Sequence, residues 1–123
     1  MKKILISLIL MLTTVLCACN GEQSTTNRIY VFSQPGCMHC QHAKEYMDKY
    51  YKNYDIKDMN IHEGSNMGYM LRYARKHNIS QQSLGTPLII MGDNYVMGWG
   101  DEQQRAFNRY ARNFKPQKNK VKK

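Results

Sequence analysis

A chain of 123 residues with 42% apolar side chains fits one domain with its own core. The formal charge is +9, but residues 115–123 hold five lysines and no acid, while residues 28–114 carry eleven basic and eight acidic residues. The high charge therefore belongs mostly to the tail, and a nucleic-acid partner is not expected.

Met1-Lys2-Lys3 is a positive n-region, and Ile4 to Leu16 is an apolar run of thirteen residues. That length suits the h-region of a signal peptide better than a membrane span. Leu16-Cys17-Ala18-Cys19 closes it and resembles the lipobox of bacterial lipoproteins. The resemblance implies cleavage before Cys19, acylation of its thiol and anchoring in a lipid bilayer outside the cytoplasm, on the periplasmic side in a Gram-negative cell. Cys17 stands where such sequences usually place a small residue. A plain secretory signal and an uncleaved anchor are the alternatives. Residues 1–18 thus read as a lipoprotein signal peptide and residues 19–27, polar and small, as a flexible tether. Residues 28–114 read as the domain, and residues 115–123 as a basic disordered tail able to touch anionic headgroups.

Ile29 to Phe32 is a continuous apolar run and predicts a strand buried on both faces. From Cys40, apolar residues recur at Ala43, Met47, Tyr50 or Tyr51, and Tyr54, the spacing of one helix face. Glu45–Lys49 and Asp48–Lys52 are spaced to pair on the other side. Ile56 to Ile61 predicts a second strand. Ser65 or Asn66 caps a second helix, with Met67, Met70, Leu71 and Ala74 as its buried face and an end near His77. Ser80 to Gly85 reads as a polar loop. Thr86 to Met91 is a strand opened by Pro87, the tolerated position for proline. Gly92-Asp93-Asn94 signals a hairpin, and Tyr95-Val96-Met97 returns. Asp101, with Gln104 as capping-box partner, starts a last helix whose buried face is Ala106, Phe107, Tyr110, Ala111 and Phe114.

The chemistry concentrates in Ser33 to Cys40, where a strand stops at Pro35-Gly36 and two cysteines enter the first turn of a helix. Unpaired N–H groups and the macrodipole at a helix start favour an anion, so Cys37 is placed to be a thiolate with a lowered pKa. Cys40, one turn deeper, is close enough to close a disulfide with it. With Cys17 removed and Cys19 acylated, no further cysteine is left for a structural framework. An inert local disulfide is the bland alternative. His42, His62 and His77 read as surface residues, and most methionines as core filler.

Cys37-Met38-His39-Cys40 after the first strand, Thr86-Pro87 at the third and Gly98-Trp99-Gly100 after the fourth together resemble the thioredoxin-like superfamily in its short glutaredoxin-like form. The resemblance covers about residues 28–114 and implies an α/β fold of order βαβαββα, a mixed four-stranded sheet with helices on both faces. It also implies a cis Thr86-Pro87 bond facing the cysteines, with the Thr86 backbone pairing to an extended substrate. Thioredoxins proper carry Trp and an acid where this chain has Gly36 and Val31. Glutaredoxins bind glutathione through a Gly-Gly and paired acids, which Gly98-Trp99-Gly100-Asp101-Glu102 echoes in part. His39 is similar to the residue before the second cysteine in DsbA-type oxidases, and Gly85-Thr86-Pro87 to the periplasmic isomerases and reductases.

The implied activity is a thiol-disulfide oxidoreductase, its direction open between oxidase, reductase and isomerase. Cys37 is the nucleophile, Cys40 resolves the mixed disulfide, and His39 supports the Cys37 thiolate. Met38, Thr86, Pro87 and Trp99 are candidate substrate contacts, Trp99 as a packing residue or groove rim. The expected partners are protein thiols or disulfides and a redox partner protein, met by a monomer without cofactor or metal. Two alternatives stay open: a copper lipoprotein using Cys37, Met38, His39 and Cys40 for Cu(I), and a glutathione-dependent reductase.

Overall fold

The computed structural model describes residues 27–114; the expected signal peptide, the expected lipidation at Cys19, most of the expected tether and the basic tail lie outside the described residues. The apolar runs form β1 (Ile29–Ser33), β2 (Ile56–Asn60), β3 (Leu88–Met91) and β4 (Asn94–Met97), joined in one sheet of order β2-β1-β3-β4. Three helices, α1 (Met38–Tyr50), α2 (Asn66–Lys76) and α3 (Asp101–Asn113), complete the order βαβαββα. β1 and β2 are parallel, in register from Ile29↔Ile56 to Ser33↔Asn60. β3 runs antiparallel to β1, with Val31 opposite Ile89, and β4 antiparallel to β3. Gly92-Asp93 makes the two-residue hairpin, with Gly92 at φ 58 where its turn demands a positive value.

Side chains alternate across the pleat, so each strand feeds both faces. Ile29, Val31, Ile89, Met91 and Val96 meet Ala43 and Met47 of α1 and Phe107 and Ala111 of α3. Phe32, Met59, Leu88 and Ile90 meet Met70 and Ala74 of α2. The sheet is therefore covered on both sides. Each fully buried large side chain contributes roughly 1.5–3 kcal/mol over leaving it exposed.

The strand directions decide where every helix starts. β1, β2 and β4 all run toward one end of the sheet, and each hands the chain to a helix there. All three helix N-termini thus gather at the end that carries Cys37, and all three C-termini lie at the other.

Several local expectations are corrected. The N-cap of α3 is Gly100, without a side-chain cap bond; Asp101 is the first helical residue and acts only as a first-turn acid. The N–H of Gln104 donates to the Gly100 carbonyl at 2.9 Å, an ordinary helical bond and not half of a capping box. Neither Glu45–Lys49 nor Asp48–Lys52 is an ion pair among the described residues: Glu45 accepts from Gln41 at 2.9 Å, and Lys49 lies over the Tyr50 ring. Met67 is not a core residue; it is 41% exposed. The loop after α2 contains a 3-10 turn, Gln81–Ser83, whose Gln82 N–H is capped by the Ser80 hydroxyl.

Candidate active site at a strand-to-helix junction

β1 ends at Ser33, which is buried, and the chain turns through Gln34, Pro35 and Gly36. Gly36 sits at φ 77, a conformation that a Cβ disfavours. The turn is closed by the Cys37 N–H donating to the Gln34 carbonyl at 3.3 Å. Cys37 then takes the N-cap position of α1, with extended backbone at φ −83 and ψ 103. A sulfur stands where a Ser or Asp oxygen normally caps a helix. The Cys40 N–H donates to Cys37 Sγ at 3.1 Å. This free amide at the helix start is the donor a thiolate would use.

Cys37 and Cys40 are joined in a disulfide with Cα atoms 5.2 Å apart. Cys37 is half-buried and Cys40 is 1% exposed, so an outside reagent reaches the first sulfur and not the second. Forty-nine residues downstream, the Thr86 hydroxyl lies 3.6 Å from Cys37 Sγ, and the Thr86 carbonyl lies 3.8 Å from it. The Thr86-Pro87 bond is cis. Pro87 is fully buried, and its carbonyl accepts from the Gly98 N–H at 2.8 Å, which ties this loop to β4. Thr86, preceding the buried Pro87, thus meets Cys37 in space.

Two depressions flank the sulfurs. One, about 420 Å³, is lined by Pro35, Gly36, Cys37, Met38, Cys40 and Lys44. The other, about 370 Å³, runs on the Thr86 side between Ile61, Met67, Leu71 and Leu84. Gln34 borders both. Met38 is 68% exposed beside Cys37 and presents an apolar surface to solvent. His39 is exposed in the first turn of α1; among the described residues the polar groups in reach of Cys37 Sγ come from Cys40 and Thr86, not from His39. Trp99 packs on Tyr46 and Phe107, with ring centroids 5.5 and 5.8 Å away, and lines neither depression. Among the described residues, no three His, Cys, Asp or Glu side chains cluster as a metal site.

Sequence reasoning missed two features. One is the Thr86 hydroxyl aimed at Cys37 Sγ; only the backbone of that residue was assigned a role. The other is an acid beside the site. Asp58 of β2 lies in register with Val31, so it occupies the same face of the sheet one strand over. It accepts from the Ser33 hydroxyl and pairs with Lys44 at 2.8 Å. The alternation of β2 carried that signal once its register with β1 was known. His77, read as a surface residue, is instead partly buried, with Nε2 enclosed and unpartnered.

A half-buried cysteine joined to a fully buried one, with the cis Thr86-Pro87 loop against the first, makes this a CxxC disulfide site at the start of a helix. No protein-family model matches the chain, and no curated protein matches it. Among solved structures it is similar to a glutaredoxin from Archaeoglobus fulgidus, with TM-score 0.52 and 19% identity, covering 71% of this chain and 90% of that one. It is also similar to a thioredoxin-like protein, with TM-score 0.48 and 21% identity, covering 67% of this chain and 95% of that one. The likeness to the glutaredoxin establishes the fold as thioredoxin-like, with a mixed four-stranded sheet and helices on both faces.

Proposed function

We propose that the protein is a thiol-disulfide oxidoreductase acting on protein cysteines outside the cytoplasm, held to a membrane by lipid on Cys19. The observation that carries the redox reading is the environment of Cys37 Sγ: the Cys40 amide at 3.1 Å and the Thr86 hydroxyl at 3.6 Å both point donors at it. Two donors and a helix start favour the thiolate over the thiol. The leader sequence supports the location.

In the reducing direction, the Cys37 thiolate attacks one sulfur of a substrate disulfide. The substrate S–S bond breaks, a Cys37–substrate disulfide forms, and the first substrate thiolate leaves and takes a proton. Cys40, once deprotonated, attacks Cys37 Sγ. The mixed disulfide breaks, the Cys37–Cys40 bond closes, and the second substrate thiolate leaves. Two electrons pass from the protein to the substrate, and a redox partner restores the dithiol; oxidation of a substrate runs the same steps in reverse. The burial of Cys40 keeps the order of attack fixed. The Thr86 carbonyl and the exposed Met38 side chain supply a backbone and an apolar contact for an extended substrate. Stabilising the thiolate stabilises the dithiol, so the potential is expected on the oxidising side of thioredoxin, above about −270 mV.

A Cys40→Ser variant tests this. It should accumulate proteins on Cys37 as adducts that a reductant releases, and a Cys37→Ser variant should accumulate none. If Cys40→Ser captures nothing, and the Cys37 thiol of the reduced protein ionises only near the free value of about 8.5, the redox reading fails.

A further inference from the structure

The two ends of the sheet differ in charge as well as in chemistry. Around the disulfide, residues 34–41, 61–69, 84–87 and 98–104 contain no Lys or Arg and include the exposed acids Glu63, Asp101 and Glu102, while Lys44, which borders the depression at Cys37, is paired with Asp58 at 2.8 Å. At the opposite end, the last turns of the helices carry Lys49, Arg75, Lys76 and Arg112, all exposed, against the exposed acids Asp48, Asp55 and Asp93, of which Asp55 is taken up by Arg28. Lys52 adds a further cation in the loop after α1. Among the described residues, Lys49, Lys52, Arg75 and Arg112 form no salt bridge, and Lys76 approaches Asp93 only at 3.9 Å. Compensation of helix dipoles accounts for bases in last turns. It does not account for Lys52, which lies outside any helix, nor for the five lysines of residues 115–123 that follow α3.

The chain also enters and leaves the domain at this basic end. Asn27 and Phe114, the first and last described residues, border the same depression of about 230 Å³ together with Arg28, Tyr73 and Lys76. The exposed Tyr50 lies beside Lys49 at the end of α1. Bases interleaved with tyrosines match the headgroup layer of a bilayer, where such rings settle and anionic lipids attract cations.

We infer that the end of the domain opposite the disulfide, carrying Lys49, Lys52, Arg75, Lys76 and Arg112, is a docking surface for an anionic lipid bilayer. Docked so, the domain stands on its basic end with Cys37 facing away from the membrane, toward its substrates. The inference rests on the membrane-anchored reading and adds an orientation to it. A lipid anchor alone leaves the domain free to tumble at the end of a tether. Each cation near an anionic surface strengthens attraction roughly fivefold, within about one screening length.

The test uses the full-length chain on bilayer discs whose headgroups carry a spin label. Discs of phosphatidylcholine are compared with discs that also contain phosphatidylglycerol. On the anionic discs, amide signals of residues 49–54, 75–77 and 109–113 should broaden several-fold more than those of residues 37–41. The contrast should vanish in about 1 M salt, where the screening length is about 3 Å. It should also fall several-fold in a Lys49→Gln, Lys52→Gln, Lys76→Gln, Arg112→Gln variant, which keeps the tail lysines and whose disulfide exchange in solution should be unchanged. Equal broadening at both ends, the same pattern on phosphatidylcholine alone, or a variant that behaves as the parent would overturn the inference. Retention on phosphatidylcholine discs reports the anchor separately. Without it, co-sedimentation with phosphatidylglycerol vesicles, and its several-fold weakening in the variant, decides the docking.

Discussion

Under α1 and α3 the sheet presents Ile29, Val31, Ile89 and Met91, and the space above them is filled by rings. Tyr51 meets Phe107 edge-on at 4.9 Å, Trp99 meets Phe107 at 5.8 Å, and Tyr46 meets Trp99 at 5.5 Å. Their polar tips are placed as well: Tyr46 and Tyr51 both donate to Asn108 Oδ1, and Tyr54 donates to the Ala111 carbonyl. Under α2 the sheet presents Phe32, Leu88 and Ile90 to a single helix that contributes Met70 and Ala74. There the cover is thin. Met67 and Tyr69 stand 41% and 40% exposed, and an apolar depression opens beside Thr86. One side of the sheet is closed with two helices and holds the fold. The other leaves apolar surface beside Thr86, which in turn meets Cys37 Sγ.

The largest expected effect tests the closed side. Phe107→Ala removes a fully buried ring from between Tyr51 and Trp99 and should cost about 3–5 kcal/mol in urea denaturation. Met70→Ala, on the thin side, should fall near the lower end of its class, about 2 kcal/mol, because flexible neighbours such as Met67 can move into the gap. Equal losses at the two positions would erase the distinction between the faces.

A smaller effect sharpens it. Asn108→Ala strips the shared acceptor from two tyrosine hydroxyls, at 3.0 and 2.6 Å, and should cost about 1–2 kcal/mol. A double-mutant cycle with Tyr51→Phe should show coupling of about 0.5 kcal/mol or more, since the two changes delete the same bond. No coupling would mean that the rings alone hold this face.

The same asymmetry explains what could be read without coordinates. The order of elements was legible because hydrophobic periodicity reports which face of a helix or strand is buried, and the thioredoxin-like fold followed from that order with three motifs. Phe107 and Ala111 were legible for this reason, since α3 packs on the closed side. Met67 was misread because the same periodicity continues onto the thin side, where the first turn of α2 is exposed and apolar spacing no longer means burial. The Cys37–Cys40 pair was legible from spacing. The Thr86 hydroxyl was not, because a contact 49 residues long depends on how β3 docks beside β1. Asp58 was hidden for a related reason: its nearness to the site follows from a strand register that no local pattern encodes. His77 was misread because a histidine at a helix end looks solvated until the hairpin ring of Tyr95 is placed 5.3 Å from it.

That histidine gives the smallest expected effect, at the far edge of the thin side. His77 follows α2, with Nε2 buried and without a partner. Burial, aided by the neighbouring Lys76 charge, lowers its pKa below the usual value near 6.5; Asp93 and the Gly92 backbone oppose this more weakly. The folded state therefore prefers the neutral ring. Above the unfolded value the contribution is fully present. As the pH falls through it, the unfolded chain takes up the proton first, and stability declines until the folded ring is protonated too. The stability difference between the parent and His77→Phe should shrink between about pH 7.5 and pH 5, the region where histidine titrates. The other three histidines are common to both proteins and cancel in that difference. A difference independent of pH would show that the ring of His77 closes this edge by packing on Tyr95 alone, and that the thin face is no more sensitive to protons than the filled one.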